Sequence, residues 1–433
     1  MSMLDIKFIR DNPEKVKDAA EKRGAAVDVG RLLEIDRLRR AKIQEVESMR
    51  TQQNEFSGEI ANLRGTKRTR AIEESRRVKA GLGIAEAELV VLEEQFFILM
   101  RKIPNIPDSD VPAGGDERDN KVLREVGERP RFDFQPRDYM ELATRLGLVD
   151  TERAGKVSGS RFGYLKNEAV FLEFALVQFA FEMLVKKHQF ILVIPPVLIK
   201  EEMMRGMGYI DSEKDRDERY FFEKDKLFLV GTSEQSIGPL HADEILNAGD
   251  LPKRYAGFST CFRREAGSYG KDTYGILRVH QFDKMEMVIF SRPEESKREH
   301  ELLLRIEEEL MQALKIPYRV VALSTGDLSA PAAATFDIEA WLPGQNGGKG
   351  EYRETHSCSN TTDFQTRRLN IKMRTDGGKI VYAHLLNGTA FAIGRTLIAI
   401  LENYLQEGGS VRIPEALREY MGGREVIPVK KNK

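Results

Sequence analysis

The sequence predicts an α+β protein: a mostly antiparallel β-sheet flanked by packed helices, preceded by a long antiparallel α-helical coiled-coil arm. Three observations point there. From residue 28 to 102 proline is absent, charged residues dominate, and apolar residues step by three and four. Pro104, Pro107, Pro112 and the pair Gly114–Gly115 then interrupt the chain. Beyond residue 131, strand-like runs joined by hairpins alternate with blocks of helix, which favours an antiparallel sheet with helices packed against it.

The chain has 433 residues, room for two to three domains. A net charge of −1 means that any nucleic-acid contact must come from a local patch. Only two cysteines occur, Cys261 and Cys358, without a CxxC, which argues against a disulfide scaffold or a cysteine-rich zinc site and fits a reducing compartment. The charged start has no apolar segment of a signal peptide. No run of eighteen apolar residues exists, so no membrane span is expected. Neither GxGxxG nor GxxxxGK[ST] is present, so a Rossmann or P-loop nucleotide site is not expected.

Residues 1–103 are expected to form a helical arm. Asn12-Pro13-Glu14 suits a helix start with proline in the first turn. Val46, Met49, Gln53, Phe56, Ile60 and Leu63 form one apolar seam. Ser75, Val78, Leu82, Ala85, Leu89, Leu92, Phe96, Leu99 and Ile103 form another, predicting two antiparallel helices of about 50 Å each. Their tip, near 64–70, holds Gly65. Residues 64–79 carry seven Lys/Arg against Glu73 and Glu74, a net +5. Arg64, Lys67, Arg68, Arg70, Arg76 and Arg77 there could grip a phosphate backbone, or they could be a solvated coiled-coil face. Residues 104–130 read as a linker, and 131–433 as the second domain.

Within that domain, helix is expected over 139–148, 168–187 and 294–314, and strand over 190–194, 226–230, 318–323 and 335–341. The most informative stretch is 258–289, FSTCFRREAGSYGKDTYGILRVHQFDKMEMVI. It reads strand (258–262), glycine-rich turn (263–275, with Gly267, Ser268, Gly270, Lys271 and Asp272), strand (276–289). Arg278, Phe282 and Glu286 recur every four residues, which on a strand places a guanidinium, a ring and a carboxylate on one face. Such a face suits a pocket floor: arginine forks phosphate, a ring stacks on a base, a carboxylate accepts from an ammonium or hydroxyl. A solvated hairpin with cross-strand ion pairs is the plainer alternative.

Three separated stretches then agree with one family. The 258–289 hairpin resembles motif 2 of class II aminoacyl-tRNA synthetases. LNGTAFAIGRTLIAILENY, within 383–404, resembles motif 3, with Arg395 heading a helix. FILVIPPVLIK, at the end of 168–200, resembles motif 1. The segments YRETHSCSNTTDFQTRRLNIK and IPNIPDSDVP, with the two-helix arm, narrow the resemblance to seryl-tRNA synthetases over nearly the whole chain.

The resemblance implies a cytoplasmic homodimer that activates L-serine with ATP and Mg²⁺, and transfers it to tRNA(Ser); members of that family also charge tRNA(Sec). It assigns Arg263 to the α-phosphate and serine carboxylate, Glu265 to the adenine side and Arg278 to the γ-phosphate. Phe282 and Arg395 would sandwich adenine, Arg263 and Arg395 carrying the catalysis. Glu354 and Ser357 would hold Mg²⁺, and Arg264, Thr355 and His356 fall in the ATP-binding segments. Thr232, Ser233 and Glu234 of GTSEQ, with Glu286, Asn387 and Thr389, fall on the serine side. Thr232 and Glu234 would accept from the ammonium, and Glu286 from the hydroxyl. The arm's basic tip would hold the tRNA.

Three positions depart from the family's usual pattern. Thr389 replaces a serine, His356 stands where a small serine is common, and GTSE continues as Gln235-Ser236-Ile237-Gly238. The plainer reading of His356 is a side chain pointing away from the ligand. Two rivals remain. A carrier-protein ligase would lack the arm. A non-catalytic tRNA-binding paralogue would lack the motif arginines or Glu354, all of which are present.

Overall fold

A computed structural model describes residues 4–266 and 275–429, without the Lys214 side chain. The greater part of the expected 263–275 turn, including Gly267, Ser268, Gly270, Lys271 and Asp272, lies outside the described residues, as do residues 430–433 of the basic tail. The chain divides into two compact units, Met1–Pro104 and Asn105–Lys433.

The first unit opens with two short helices, Ile6–Asp11 and Pro13–Lys22, the second with Pro13 in its first turn. Two long helices follow: α1, Val29–Ile60, of 32 residues, and α2, Gly65–Arg101, of 37. Asp28 caps α1 by accepting from the Arg31 N–H at 2.8 Å, satisfying one of the helix's free donors. The two helices run antiparallel. Val46, Leu82 and Ala85 are buried between them, with Met49 and Leu89 alongside. Arg50 pairs with Glu86 at 2.7 Å and Lys42 with Glu88 at 2.6 Å. Toward the tip the seam thins: Phe56, Ile60 and Leu63 are only half-buried. Arg64, Lys67, Arg68, Arg70, Arg76 and Arg77 are all exposed there.

The second unit is organised by an eight-stranded sheet. Its strands are β1 (Lys121–Val126), β2 (Ile191–Val193), β3 (Lys253–Phe262), β4 (Gln281–Ser291), β5 (Tyr318–Ala322), β6 (Ala334–Leu342), β7 (Glu351–Asn360) and β8 (His384–Ala392). The order across the sheet is β1-β5-β6-β7-β8-β4-β3-β2. Every neighbouring pair is antiparallel except β2 with β3. The helices packed on this sheet include α3 (Glu168–His188), α4 (Ser296–Ala313) and α5 (Ile393–Asn403). Helix α4 presses Leu303 and Glu307 against β8 so closely that a Cβ on Gly388 would stand 3.1 Å from Glu307 Oε1 and 3.4 Å from Leu303 Cδ2. Glycine in mid-strand permits that approach.

The sequence reading needs two corrections. The stretch 104–130 is not a free linker. Asn105 is buried and donates to the carbonyls of Pro331 and Thr361, each at 2.9 Å. The Thr325 and Gly326 N–H groups donate at 2.9 Å to Pro112 and Gly114 carbonyls. Residues Lys121–Val126 then add the edge strand beside Tyr318–Ala322. Proline excluded helix here, but extended proline-rich chain can still dock through its carbonyls. The second correction concerns motif 2, whose first strand begins at Lys253 rather than 258 and whose second begins at Gln281 rather than 276. Residues 276–280 are held off the ladder: Ile276 N–H donates to Tyr139 Oη at 3.2 Å, and His280 N–H to the Arg161 carbonyl at 3.0 Å. Arg278 therefore precedes the strand that carries Phe282 and Glu286.

Asn105→Ala removes the buried amide that donates to the Pro331 and Thr361 carbonyls. It is expected to destabilise the second unit by about 1–3 kcal/mol, read as a lower urea midpoint with an unchanged m-value.

Candidate active site

Alternation along β4 builds the floor of the site. Met285 and Met287 are buried in the core, while Phe282, Lys284 and Glu286 line a cavity of 490 Å³. On β7, Glu354, Ser357 and Ser359 line it too, and Cys358 points into the core. A bulge, where Ile338 opposes His356 but Glu339 opposes Glu354, leaves Thr355 as the extra residue and brings it to the lining as well. β8 contributes Asn387 and Thr389, and the first turn of α5 contributes Arg395.

One end of the cavity is acidic. Glu286 Oε2 accepts from Thr232 Oγ1 at 2.9 Å and is ion-paired with Lys284. Glu234 accepts from Tyr209 Oη at 2.9 Å and from Gln365 Nε2 at 3.1 Å. Burial, then the charge of Glu286, pushes Glu234 up to about 7. Burial raises Glu286 as well, against the pull of Lys284 and the Thr232 hydroxyl. Gln235 closes the loop by accepting from the Gly231 N–H at 2.7 Å.

The other end is cationic. Arg263 leaves the end of β3, its Nε donating to the Gly231 carbonyl at 3.1 Å, with its guanidinium carbon 5.2 Å from the Phe282 ring centre. Arg278 pairs with Glu265 at 2.9 Å. Glu265 holds a left-handed backbone, φ 52°, sparsely populated for a residue with a Cβ. Arg395 donates to the Glu354 carbonyl at 2.9 Å and approaches its carboxylate at 3.2 Å. Burial would raise Glu354, but Arg395 and Arg263 outweigh it and hold the carboxyl below its usual range.

The cavity thus gathers Thr232, Glu234, Arg263, Glu265, Arg278, Phe282, Glu286, Glu354, Thr355, Ser357, Asn387, Thr389 and Arg395 from segments far apart in the chain. Three expected site residues are not in its lining. Ser233 is fully buried, its hydroxyl 3.4 Å from the Gly257 carbonyl. Arg264 turns outward and lies over the Tyr220 ring at 5.2 Å. His356 faces the core, bonded to Thr355 Oγ1 at 2.9 Å and packed edge-on against Phe391. Burial lowers its pKa to about 3 and keeps it neutral. Alternation on β7 explains this, since position 356 falls opposite 357. Reasoning from sequence missed Lys284, Tyr209, Glu218 and Arg219. Period two from Phe282 to Glu286 would have found Lys284; the others come from loops with no periodic signal.

An antiparallel sheet flanked by helices, with an arginine-lined cavity on motif 2 and motif 3 elements, defines a class II aminoacyl-tRNA synthetase core. Residues 220–404 match the family described as tRNA synthetase class II core domain (G, H, P, S and T), and residues 3–107 the seryl-tRNA synthetase N-terminal domain. The chain is 44% identical to the serine–tRNA ligase of Dictyoglomus turgidum over 99% of its own length and 100% of that protein. It superposes on the crystal structure of seryl-tRNA synthetase from Pyrococcus horikoshii complexed with ATP with a TM-score of 0.89 and 40% identity, covering 99% of this chain and 100% of that one. The cytoplasmic serine–tRNA ligase from Naegleria fowleri in complex with AMP gives a TM-score of 0.85 and 34% identity, covering 99% of each chain. The chain belongs to the seryl-tRNA synthetase family, and its activity is ATP-dependent ligation of serine to tRNA.

Glu234 carries a pH signature. Its folded pKa of about 7 exceeds the ordinary 4.5, so between those values the native state holds a proton that the unfolded chain has lost. Its contribution is full below pH 4.5 and disappears as pH rises through 7. Glu234→Gln should therefore flatten the fall in unfolding free energy over that range, by up to roughly 3 kcal/mol, measured by denaturant titration at successive pH values.

Proposed function

We propose that the acidic end of the cavity seats serine and the cationic end seats ATP, so that the serine carboxylate meets the α-phosphate beside Arg263. The observation that carries this reading is that Arg263, at the cationic end, donates to the Gly231 carbonyl of the GTSE loop while its guanidinium lies over Phe282. Glu234 and Thr232 accept from the ammonium, and Glu286 accepts from the side-chain hydroxyl. The Phe282 ring stacks on adenine with Arg395 on its other side. Arg278 takes the γ-phosphate once nucleotide competes with Glu265 for its fork.

The carboxylate oxygen attacks the α-phosphorus in line and pyrophosphate leaves, giving seryl-adenylate; a hydroxyl of the 3′-terminal adenosine of the tRNA then attacks the seryl carbonyl, forming the ester and releasing AMP. Nothing in the cavity needs to act as an enzyme nucleophile. Arg263 and Arg395 hold reactants in line and stabilise charge spread over the transferring phosphoryl oxygens. The donors present fit Mg²⁺, which prefers a few protein oxygens and keeps waters and phosphate as its remaining ligands. Glu354 and Ser357 line the cavity, and on the adjacent strand half-buried Asp337, opposite Ser357, has a carboxylate oxygen with no hydrogen-bond partner. Glu354 and Ser357 would hold the ion, which when bound neutralises phosphate charge.

The arm supports the tRNA-binding reading through its exposed cations at 64–77. Serine-family tRNA is the proposed partner, with tRNA(Sec) included where the cell makes one. A homodimer is proposed from the apolar face of α3 and β2. There Phe174 is 61% and Ile194 76% exposed, with Phe171, Ile191 and Leu192 beside them, a patch of the kind that marks an interface. Among the described residues no helix is long and apolar enough to cross a membrane, and a cytoplasmic location is proposed with the substrates.

Arg263→Ala should lower serine-dependent ATP–pyrophosphate exchange by about 10²–10³-fold in kcat/KM with an unchanged melting curve. Exchange at the wild-type rate would sink the assignment. The double charge reversal Lys67→Glu/Arg68→Glu should raise the KM for tRNA and lessen its dependence on salt, while leaving the tRNA-independent exchange unaltered. A change in exchange without a change in tRNA KM would refute the tip as tRNA contact.

A further inference from the structure

Glu286 has two oxygens with different surroundings. Oε2 takes the Thr232 hydroxyl at 2.9 Å and the Lys284 ammonium. Lys284 stands two residues before Glu286 on β4, so both side chains rise from one face of the sheet into the cavity. The register fixes the pair. Lys284 opposes Ala392 and Glu286 opposes Thr389, with Ala390 as the extra residue of a bulge between them. That bulge brings Thr389 beside Glu286 on the same cavity wall.

From this geometry we infer that Lys284 is a specificity-determining positioning residue: it holds Glu286 ionised and pinned through Oε2, leaving Oε1 as the acceptor that tells a hydroxylated amino acid from alanine. The inference rests on the reading that Glu286 accepts the serine hydroxyl.

The chemistry follows from the charge of the acceptor. An ionised carboxylate left unpaired beside a methyl group costs much more than a neutral carboxyl, which can turn its own proton to a neighbour. Discrimination against alanine therefore depends on Glu286 staying charged in a buried site. The groups acting on it are few. Arg263, at the end of β3, and Lys284 favour the charged form, as does the Thr232 hydroxyl from the GTSE loop. The charge of Glu286 in turn helps to raise Glu234, in that loop's helix, to about 7 and Glu307, on α4 beneath the sheet, well above its usual range. Tyr209 and Cys261 are both neutral at pH 7, each held high by burial. Arg263 is committed to the Gly231 carbonyl and, in the proposed reaction, to phosphate. That leaves Lys284 as the cation in ion-pair contact with Glu286.

The test uses full-length enzyme, with ATP–pyrophosphate exchange measured for serine and alanine from pH 6.5 to 9. The variants are Lys284→Met, Lys284→Arg and Glu286→Gln. Lys284→Met should raise the serine KM and cut the serine-to-alanine ratio of kcat/KM by at least about tenfold at pH 7. Much of the ratio should return toward pH 9 as Glu286 ionises unaided. Lys284→Arg should retain most of the ratio at pH 7, and the KM for ATP should change little in either. An unchanged ratio in Lys284→Met overturns the inference. So does a loss that is equal at every pH, or one shared with the ATP KM, because each describes general damage to the site. Glu286→Gln separates the premise from the inference. If it leaves the ratio intact, the assignment of Glu286 has failed. If it collapses the ratio while Lys284→Met does not, only the role of Lys284 has failed.

Discussion

The site depends on the period of a β-strand. Along Gln281–Ser291, alternate side chains must face opposite sides of the sheet. Met285 and Met287 anchor the strand in the core, and that burial fixes which way Phe282, Lys284 and Glu286 point. A one-residue slip would bury a ring, an ammonium and a carboxylate while exposing two methionines, so the apolar face sets the register of the polar one. The neighbouring strands inherit the same rule. Cys358 faces the core while Ser357 and Ser359 face the cavity.

Where function needs a departure from strict alternation, the sheet supplies bulges. The one at Thr355 lets Glu354 and Thr355 both reach the cavity. The one at Ala390 sets Thr389 opposite Glu286. Both lie on strands flanking the polar floor, where a local break in pairing re-aims side chains at little cost to the core. The charges are arranged in the same economy: five acidic and five basic side chains line one cavity, most already paired with each other before any substrate arrives. Arg278 is paired with Glu265 and Arg395 with Glu354, contacts that phosphate would replace in the proposed reaction.

Much of this was legible in the sequence, for identifiable reasons. The arm follows from a seam at helical spacing without proline. The 258–262 strand, helix α4 after Pro293 and helix α5, with Gly394 and Arg395 in its first turn, carry strong local signals. What escaped reading depended on tertiary contact. Residues 276–280 alternate like a strand, yet the hydroxyl of distant Tyr139 takes the Ile276 N–H. Residues 104–130 have linker composition, yet their polar groups dock on chain two hundred residues away. Ser233 lies inside a matching motif, and only the burial of the GTSE loop reveals that it does not line the cavity; for His356 the pleat of β7 agrees with the plainer reading, a side chain pointing away from the ligand. Lys284 is readable from period two alone, but the four-residue recurrence of Arg278, Phe282 and Glu286 steps over it.

In the proposed reaction one cavity holds serine against the α-phosphate of ATP without help from tRNA. The decisive experiment is serine-dependent ATP–pyrophosphate exchange by the wild-type chain, with threonine and alanine in parallel and no tRNA present. Strong exchange with serine and little with the other two is expected. Equal or greater exchange with threonine or alanine would contradict the assignment of Glu286 and Thr389, and no exchange with any amino acid from a folded protein would contradict the cavity's role altogether.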